Sequence, residues 1–210
     1  FDYEPPPHQL GVLMESRLRY GAMKLSPMLS DGVLRSIGPS VAFVSYGREC
    51  RESLVHIGKA VSTEQFYALK IETGDSIQPG EPAHAVSEPM AYLYEADPAA
   101  IRAHSLGALA AEFSLAELSN TFGYLTGDSL VTSPWLVGYR VIETGPYDEK
   151  QLRLSLSKLG GGRPIVKSRA RKIDPAKISK ELSTPGKGEP IVALYDIKFS
   201  LRYVILERLS

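Results

Sequence analysis

The densest concentration of chemistry-bearing side chains is Lys167-Ser168-Arg169-Ala170-Arg171-Lys172, four cations in six residues. In an extended segment Lys167, Arg169 and Arg171 share one face, because strand side chains alternate with period two. Three cations on one face repel one another unless an anion or solvent compensates. Two readings follow: a phosphate-binding strip, with Arg163 and Lys172 nearby, or a solvated edge strand whose charges block sheet addition. Ser26-Pro27 follows a short strand. The Ser-Pro pair has no GxSxG context and makes no nucleophile elbow. Cys50 stands between Arg48 and Arg51, and basic neighbours lower a thiol pKa; its place near a turn argues instead for a small buried residue. His8, His56, His84 and His104 show no HxxxH or CxxC spacing, so no metal is expected. Gly160-Gly161-Gly162 follows a helix rather than opening one, which makes it a helix terminator and not a phosphate cradle.

These groups sit in a chain of 210 residues, enough for one large domain or two modest ones. Its 43% hydrophobic and 23% charged residues are globular values, excluding wholesale disorder. No apolar run reaches the roughly 18 residues of a membrane helix. The single cysteine excludes an internal disulfide framework and fits a reducing, cytoplasmic setting. Net charge is zero, yet residues 139–210 hold 15 Lys and Arg against 8 Asp and Glu. The chain from Phe1 to Gly138 therefore carries the opposite excess. Such a split suits either a basic module with a polyanionic partner or two modules held by complementary charge.

The elements that must position these residues read as a mixed α/β chain. Residues 5–20 form a helix behind Pro5-Pro6-Pro7, and 22–25 a short strand stopped by Pro27. A helical turn after Asp31 precedes a hairpin over 40–57 with its turn at Gly47-Arg48, then a strand over 66–71. Residues 74–88 are a polar connector. After a strand at 91–94, Asp97-Pro98 caps one amphipathic helix through Phe113, with Arg102 on its apolar face and an acid expected beside it. From Tyr139 onward the chain reads β-α-β-α-β-β: strand 139–143, a helix capped by Asp148, strand 164–167 reaching toward Arg171, a helix capped by Asp174, and a hairpin over 191–206. The domain division implied is 1–73, a connecting segment 74–138, and 139–210.

Several stretches together resemble a family of bacterial class I methyltransferases that end in a THUMP-like domain. They are KLSPML (24–29), VSYGRECRESL (44–54), AYLYEADPAAIRA (91–103), FGYLTGD (122–128), GYRVIETGPYDEKQLRLSLSKL (138–159) and IVKSRARKIDP (165–175). The resemblance implies that residues 1–73 are the last third of a Rossmann-like methyltransferase sheet, with its seventh strand inserted antiparallel. In that fold a Gly-rich turn and an acid hold S-adenosylmethionine and an Asp-Pro-type motif lies near the transferred methyl, and all three would precede Phe1. The intact protein is thus expected to use S-adenosylmethionine, and this chain alone to bind none and be inactive, completed by the N-terminal half of the same protein.

What the resemblance leaves here is a substrate rim, Tyr3 together with Lys24, Ser26 and Pro27; Lys24 either meets a substrate phosphate or closes a salt bridge. No catalytic residue is assigned. The THUMP-like module implies RNA, tRNA or rRNA, docked by Arg163, Lys167, Arg169, Arg171 and Lys172. Two alternatives stay open: a non-catalytic RNA-binding or assembly protein, and a methyltransferase acting on a protein or small molecule.

Overall fold

The computed structural model describes residues 6–61, 64–118, 123–170, 173–198 and 200–209. Tyr3, Arg171 and Lys172 lie outside the described residues. The chain divides into two compact units, Phe1–Pro82 with Asp97–Leu109, and Ala83–Ala96 with Ala110–Ser210.

The first unit is built from α1 (Pro7–Arg17), β1 (Gly21–Leu25), α2 (Asp31–Ile37), β2 (Ser40–Tyr46), β3 (Glu49–Ile57), β4 (Gln65–Lys70) and β5 (Ser76–Ile77). Pro7 opens α1, where a missing N–H costs nothing. The Ser30 hydroxyl accepts from Val33 N–H and caps α2. Gly47 and Arg48 both have φ near +60°, the pairing of a type I′ turn, and so close the β2–β3 hairpin tightly. The sheet order is β1-β3-β2-β4-β5. β3 lies antiparallel between β1 and β2, and β4 runs parallel to β2. Val41, Ala42, Phe43 and Val44 of β2 are all buried, so this strand is covered on both faces. Leu34 and Ile37 of α2 are buried with Val55, Ile57 and Phe66.

The connecting segment does not stand as its own block. β5 joins the first sheet, whereas β6 (Ala85–Val86) and β7 (Tyr92–Ala96) belong to the second unit. The chain returns to the first unit at Asp97, where α3 (Pro98–Arg102) begins, and leaves it again within α4 (Leu106–Phe113). One continuous helix over 99–113 is therefore corrected to two. His104, at φ 60°, takes the left-handed position that ends α3. His104 N–H bonds Ile101 O and Ser105 N–H bonds Ala100 O, a Schellman motif with histidine where glycine is usual.

The second unit continues with β8 (Ala116–Leu118), β9 (Tyr124–Gly127), β10 (Leu136–Pro146), α5 (Glu149–Lys158), β11 (Ile165–Ser168), α6 (Pro175–Glu181), β12 (Ile191–Ile197) and β13 (Ser200–Arg208). Its last six elements follow the β-α-β-α-β-β order of the sequence. They are not a separate unit, however, since their sheet continues as β11-β12-β13-β10-β7-β9-β8-β6. The boundary expected between residues 138 and 139 falls inside β10, which pairs β7 on one side and β13 on the other. Asp148 and Asp174 cap α5 and α6 as read, and Gly160, Gly161 and Gly162 end α5 with positive φ. One sheet face packs Leu93, Tyr124, Tyr139, Ile191, Tyr195 and Val204 together. The other packs Val192, Leu194 and Ile205 against Leu152 and Leu156 of α5 and against Leu182.

Candidate functional site

Ligands of open α/β sheets bind outside the carboxyl ends of parallel strands. In the first unit that edge is the loop after β1, which contains Ser26 and Pro27. Arg102 holds the loop from α3. Its Nε donates to Pro27 O at 2.8 Å, its Nη2 to Leu29 O, and its Nη1 pairs with the Asp31 carboxylate. The guanidinium also lies 4.6 Å from the Phe43 ring centroid. The acid anticipated beside Arg102 is Asp31. His104 Nε2 meets the second Asp31 oxygen at 2.7 Å, an interaction available because the left-handed backbone turns this side chain toward the loop.

Burial raises the Asp31 carboxyl, and the hydrogen bonds and charges of Arg102 and His104 outweigh it, leaving the pKa below its ordinary 3.8. A depressed folded value means the stabilisation is complete above pH 3.8 and disappears as pH falls through the lower folded value. Asp31→Asn is therefore expected to flatten the acid limb of the stability curve below pH 3.8. Thermal melts at half-unit pH steps check this; parallel curves for wild type and variant would remove Asp31 from the acid response.

The other end of α3 is anchored in the core of this unit. Asp97 is fully buried; one oxygen accepts from Ala99 N–H, while the other meets Ser45 Oγ and Lys70 Nζ, each at 2.8 Å. Cys50 is half-buried, and burial pushes its thiol up to about 11, with Asp97 adding to the rise and Arg102 opposing it. Its flanking arginines do not make it reactive at neutral pH. Lys24 closes a salt bridge with Glu52 at 2.6 Å, its side chain still 73% exposed. Ser26 Oγ accepts from Met28 N–H, and Ser53 Oγ donates to Ser26 O.

In the second unit Lys167 and Arg169 do turn to one side, and a carboxylate meets them there. Lys167 Nζ is 2.7 Å from Glu95 Oε2, and Arg169 Nη2 is 4.0 Å from Oε1. The cations also approach aromatic rings, Lys167 at 5.8 Å from Tyr139 and Arg169 at 5.7 Å from Tyr124. Glu95 lies on β7, four strands from β11, a separation of about 19 Å in a flat sheet. A lysine side chain cannot span that, so the sheet must curl until its edge faces its middle. The bulge at Val141/Glu143 of β10 supplies part of that bend. Arg202 with Glu88, and Tyr195 with the Ser87 carbonyl, close the curl from the β6 side. The solvated-edge expectation for this strip is corrected: Lys167 and Arg169 serve as part of a side-chain latch. Arg163 is exposed, with Nε donating to Ser179 Oγ at 3.3 Å. The signal missed in sequence was Glu95, far from Lys167 along the chain and unremarkable in its own stretch.

Among the described residues no three His, Cys, Asp or Glu side chains converge as a metal site, and no helix is long and apolar enough to cross a membrane. S-adenosylmethionine does not fit the residues described at the β1 edge. No glycine-rich strand–turn–helix is present there, and the carboxylates Glu52, Asp31 and Asp97 are each bonded to a cation.

No protein-family model matches the chain. Proteins from two strains of Mycobacterium tuberculosis, each named an uncharacterized S-adenosylmethionine-dependent methyltransferase, are 30% identical over 190 residues. That match covers 88% of this chain and 52% of theirs, so the chain spans about half the length of the curated relatives it matches. A crystal structure from Porphyromonas gingivalis, described as a "putative methyltransferase", superposes with a TM-score of 0.77 at 17% identity. It takes in 99% of this chain and 55% of that one, and the two share a fold.

Proposed function

We propose that the chain forms part of an S-adenosylmethionine-dependent methyltransferase, supplying the substrate rim and a nucleic-acid-facing module for a cofactor half carried elsewhere in the longer protein. The observation that carries this is the strand order β1-β3-β2, with β3 antiparallel between two strands that run parallel to each other. An antiparallel strand inserted at that place is what the methyltransferase resemblance implies, and the relatives carry the same activity in their names. In this reading Ser26 and Pro27 line the rim, Arg102 fixes the loop that bears them, and Lys24 sits beside them already paired with Glu52. RNA is the substrate class we assign, supported by the basic excess of residues 139–210. The module bearing that excess is read as THUMP-like. Its exposed cations Lys150, Lys158 and Lys187, with Arg163, are better placed for phosphates than the latched Lys167 and Arg169.

The chain alone is expected to show no appreciable affinity for S-adenosylmethionine, because its carboxylates at the β1 edge are already bonded. Isothermal calorimetry on the 210-residue chain decides it, and micromolar binding would overturn the placement of the cofactor site. The longer protein is expected to transfer a tritiated methyl group from S-adenosylmethionine to total RNA. Transfer to protein instead, with none to RNA, would redirect the substrate assignment.

A further inference from the structure

Three aromatic rings lie side by side on one face of the first sheet, at the end opposite the Ser26–Pro27 loop. The Tyr20 hydroxyl is 2.9 Å from His56 Nδ1, and His56 Nε2 is 3.1 Å from the Tyr67 hydroxyl. The rings are close to parallel, 26° between Tyr20 and His56 and 8° between His56 and Tyr67, with centroids 5.9 and 6.3 Å apart. Near-parallel rings at that spacing, tied together by hydrogen bonds, form a single tile. A neutral imidazole has one donor and one acceptor nitrogen, so one phenol donates and the other accepts; the array is fixed in orientation. Small residues make room for it. Ser40 of β2 pairs with His56, and Ala42 pairs with Tyr67, so the rings bridge β2 without a bulky side chain between them.

Tyr20 is the accessible member of the tile, His56 and Tyr67 being half-buried, and cations flank it along the chain. Tyr20 is 59% exposed, and Arg17, Arg19 and Lys59 are all exposed, with no carboxylate partner among the described residues. Gly58 brings Lys59 into this flank. At φ +112°, and with its Cβ position only 2.9 Å from Arg19 O, it lets the chain after β3 run against residues 18–20. Lys59 N–H then bonds Leu18 O, and Ala60 N–H bonds Arg19 O. Three exposed cations thus stand here although the chain from Phe1 to Gly138 carries net negative charge, with Glu64 just ahead of β4 paired to Arg35. Rings flanked by cations suit a ligand that offers both flat faces and negative charge. Unstacked bases with their phosphates satisfy both the rings and the cations.

We infer that the Tyr20–His56–Tyr67 tile is a stacking platform for single-stranded RNA, with Arg17, Arg19 and Lys59 contacting the phosphates. This rests on the RNA reading given above and names where the strand docks on the first unit. The test is fluorescence anisotropy of labelled ten-nucleotide oligoadenylate and oligouridylate with the 210-residue chain at several salt concentrations. Tyr20→Ala should weaken oligoadenylate binding by about 5- to 150-fold, the range of one lost base–aromatic stack, with the salt slope unchanged. Tyr20→Phe keeps the ring and should bind within a few-fold of wild type. Lys59→Ala should make the logarithmic salt slope shallower by about 0.7, one phosphate contact on a single strand. A thermal melt checks that each variant folds, which the exposure of Tyr20 and Lys59 favours.

Wild-type binding that Tyr20→Ala leaves intact overturns the platform and spares the RNA reading. If the tile instead packs against protein, that same result appears, with a change only in self-association on gel filtration. Failure of the wild-type chain to bind either oligomer overturns the RNA reading and the platform with it.

Discussion

Replacing Asp97 with alanine is expected to cost the first unit about 3–5 kcal/mol through a broken buried ion pair, the largest effect expected of any single substitution. Lys70 would keep its ammonium in the interior with its side chain only 7% exposed and its carboxylate gone. Most of the cost is the penalty of keeping an ammonium in the interior after its 2.8 Å carboxylate is removed. Ser45 Oγ, 3.4 Å from Lys70 Nζ, is too weak an acceptor to compensate. A lost N-cap adds to it. Asp97 accepts from Ala99 N–H at the start of α3, and such caps contribute roughly 0.5–2 kcal/mol.

The same reasoning predicts the rescue. Lys70→Met in the Asp97→Ala background removes the buried ammonium, leaving the lost cap and a small cavity. The double variant should therefore be more stable than Asp97→Ala alone, the reverse of additive damage. Hydrogen exchange of the β2 and β4 amides, read beside calorimetric melting, reports the first unit directly. An Asp97→Ala penalty below about 1 kcal/mol would mean that water reaches Lys70 and that the pair is not the anchor of α3.

Asp97 also marks where sequence reading succeeds and where it stops. Its cap was legible because an Asx residue followed by proline acts within one turn of chain, as it does at Asp174. The hairpin over 40–57 and the α5 terminator at Gly160–Gly162 were legible for the same reason, being local backbone chemistry. The break at His104 was not, because the left-handed position that glycine normally announces is filled by histidine. A non-glycine residue there costs about 1–2 kcal/mol, which the bond to Asp31, 73 residues away, helps offset. The β10 sheet escaped for a related reason. Pairing β10 to β7 on one side and to β13 on the other joins segments that no local signal connects, so a boundary drawn from charge and motif order cut through one strand.

The rim residues show the same division: a lysine, a serine and a proline at a strand end were visible, while the arginine that shapes their loop comes from a helix in another part of the chain. The basic tract shows it most sharply. Its alternation correctly put Lys167 and Arg169 on one side, but alternation says nothing about what waits there.

Glu95 waits there, and the last expectation concerns it. Glu95→Gln should destabilise the second unit by about 1–3 kcal/mol, less than a fully buried pair because Glu95 and Lys167 are 21% and 25% exposed. Trp135, buried in the same unit, gives a fluorescence signal for its unfolding. A double-mutant cycle with Lys167→Met should return a coupling of roughly 0.5–3 kcal/mol, the range for residues in direct contact. Burial lowers the Lys167 ammonium, and Glu95 with Tyr139 outweighs it, so its pKa stands above the ordinary 10.5. A raised folded value means that its contribution is complete below pH 10.5 and fades as pH climbs through the folded value. Lys167→Met should accordingly flatten the alkaline limb of the stability curve.

The RNA measurement then separates latch from ligand. If Lys167 and Arg169 close the curled sheet, Lys167→Met lowers stability and leaves RNA affinity unchanged. If they bind phosphates, Glu95→Gln releases two cations and should tighten RNA binding while steepening its salt dependence. The 2.7 Å contact across four strands favours the latch. Tighter binding by Glu95→Gln would return both residues to the RNA surface.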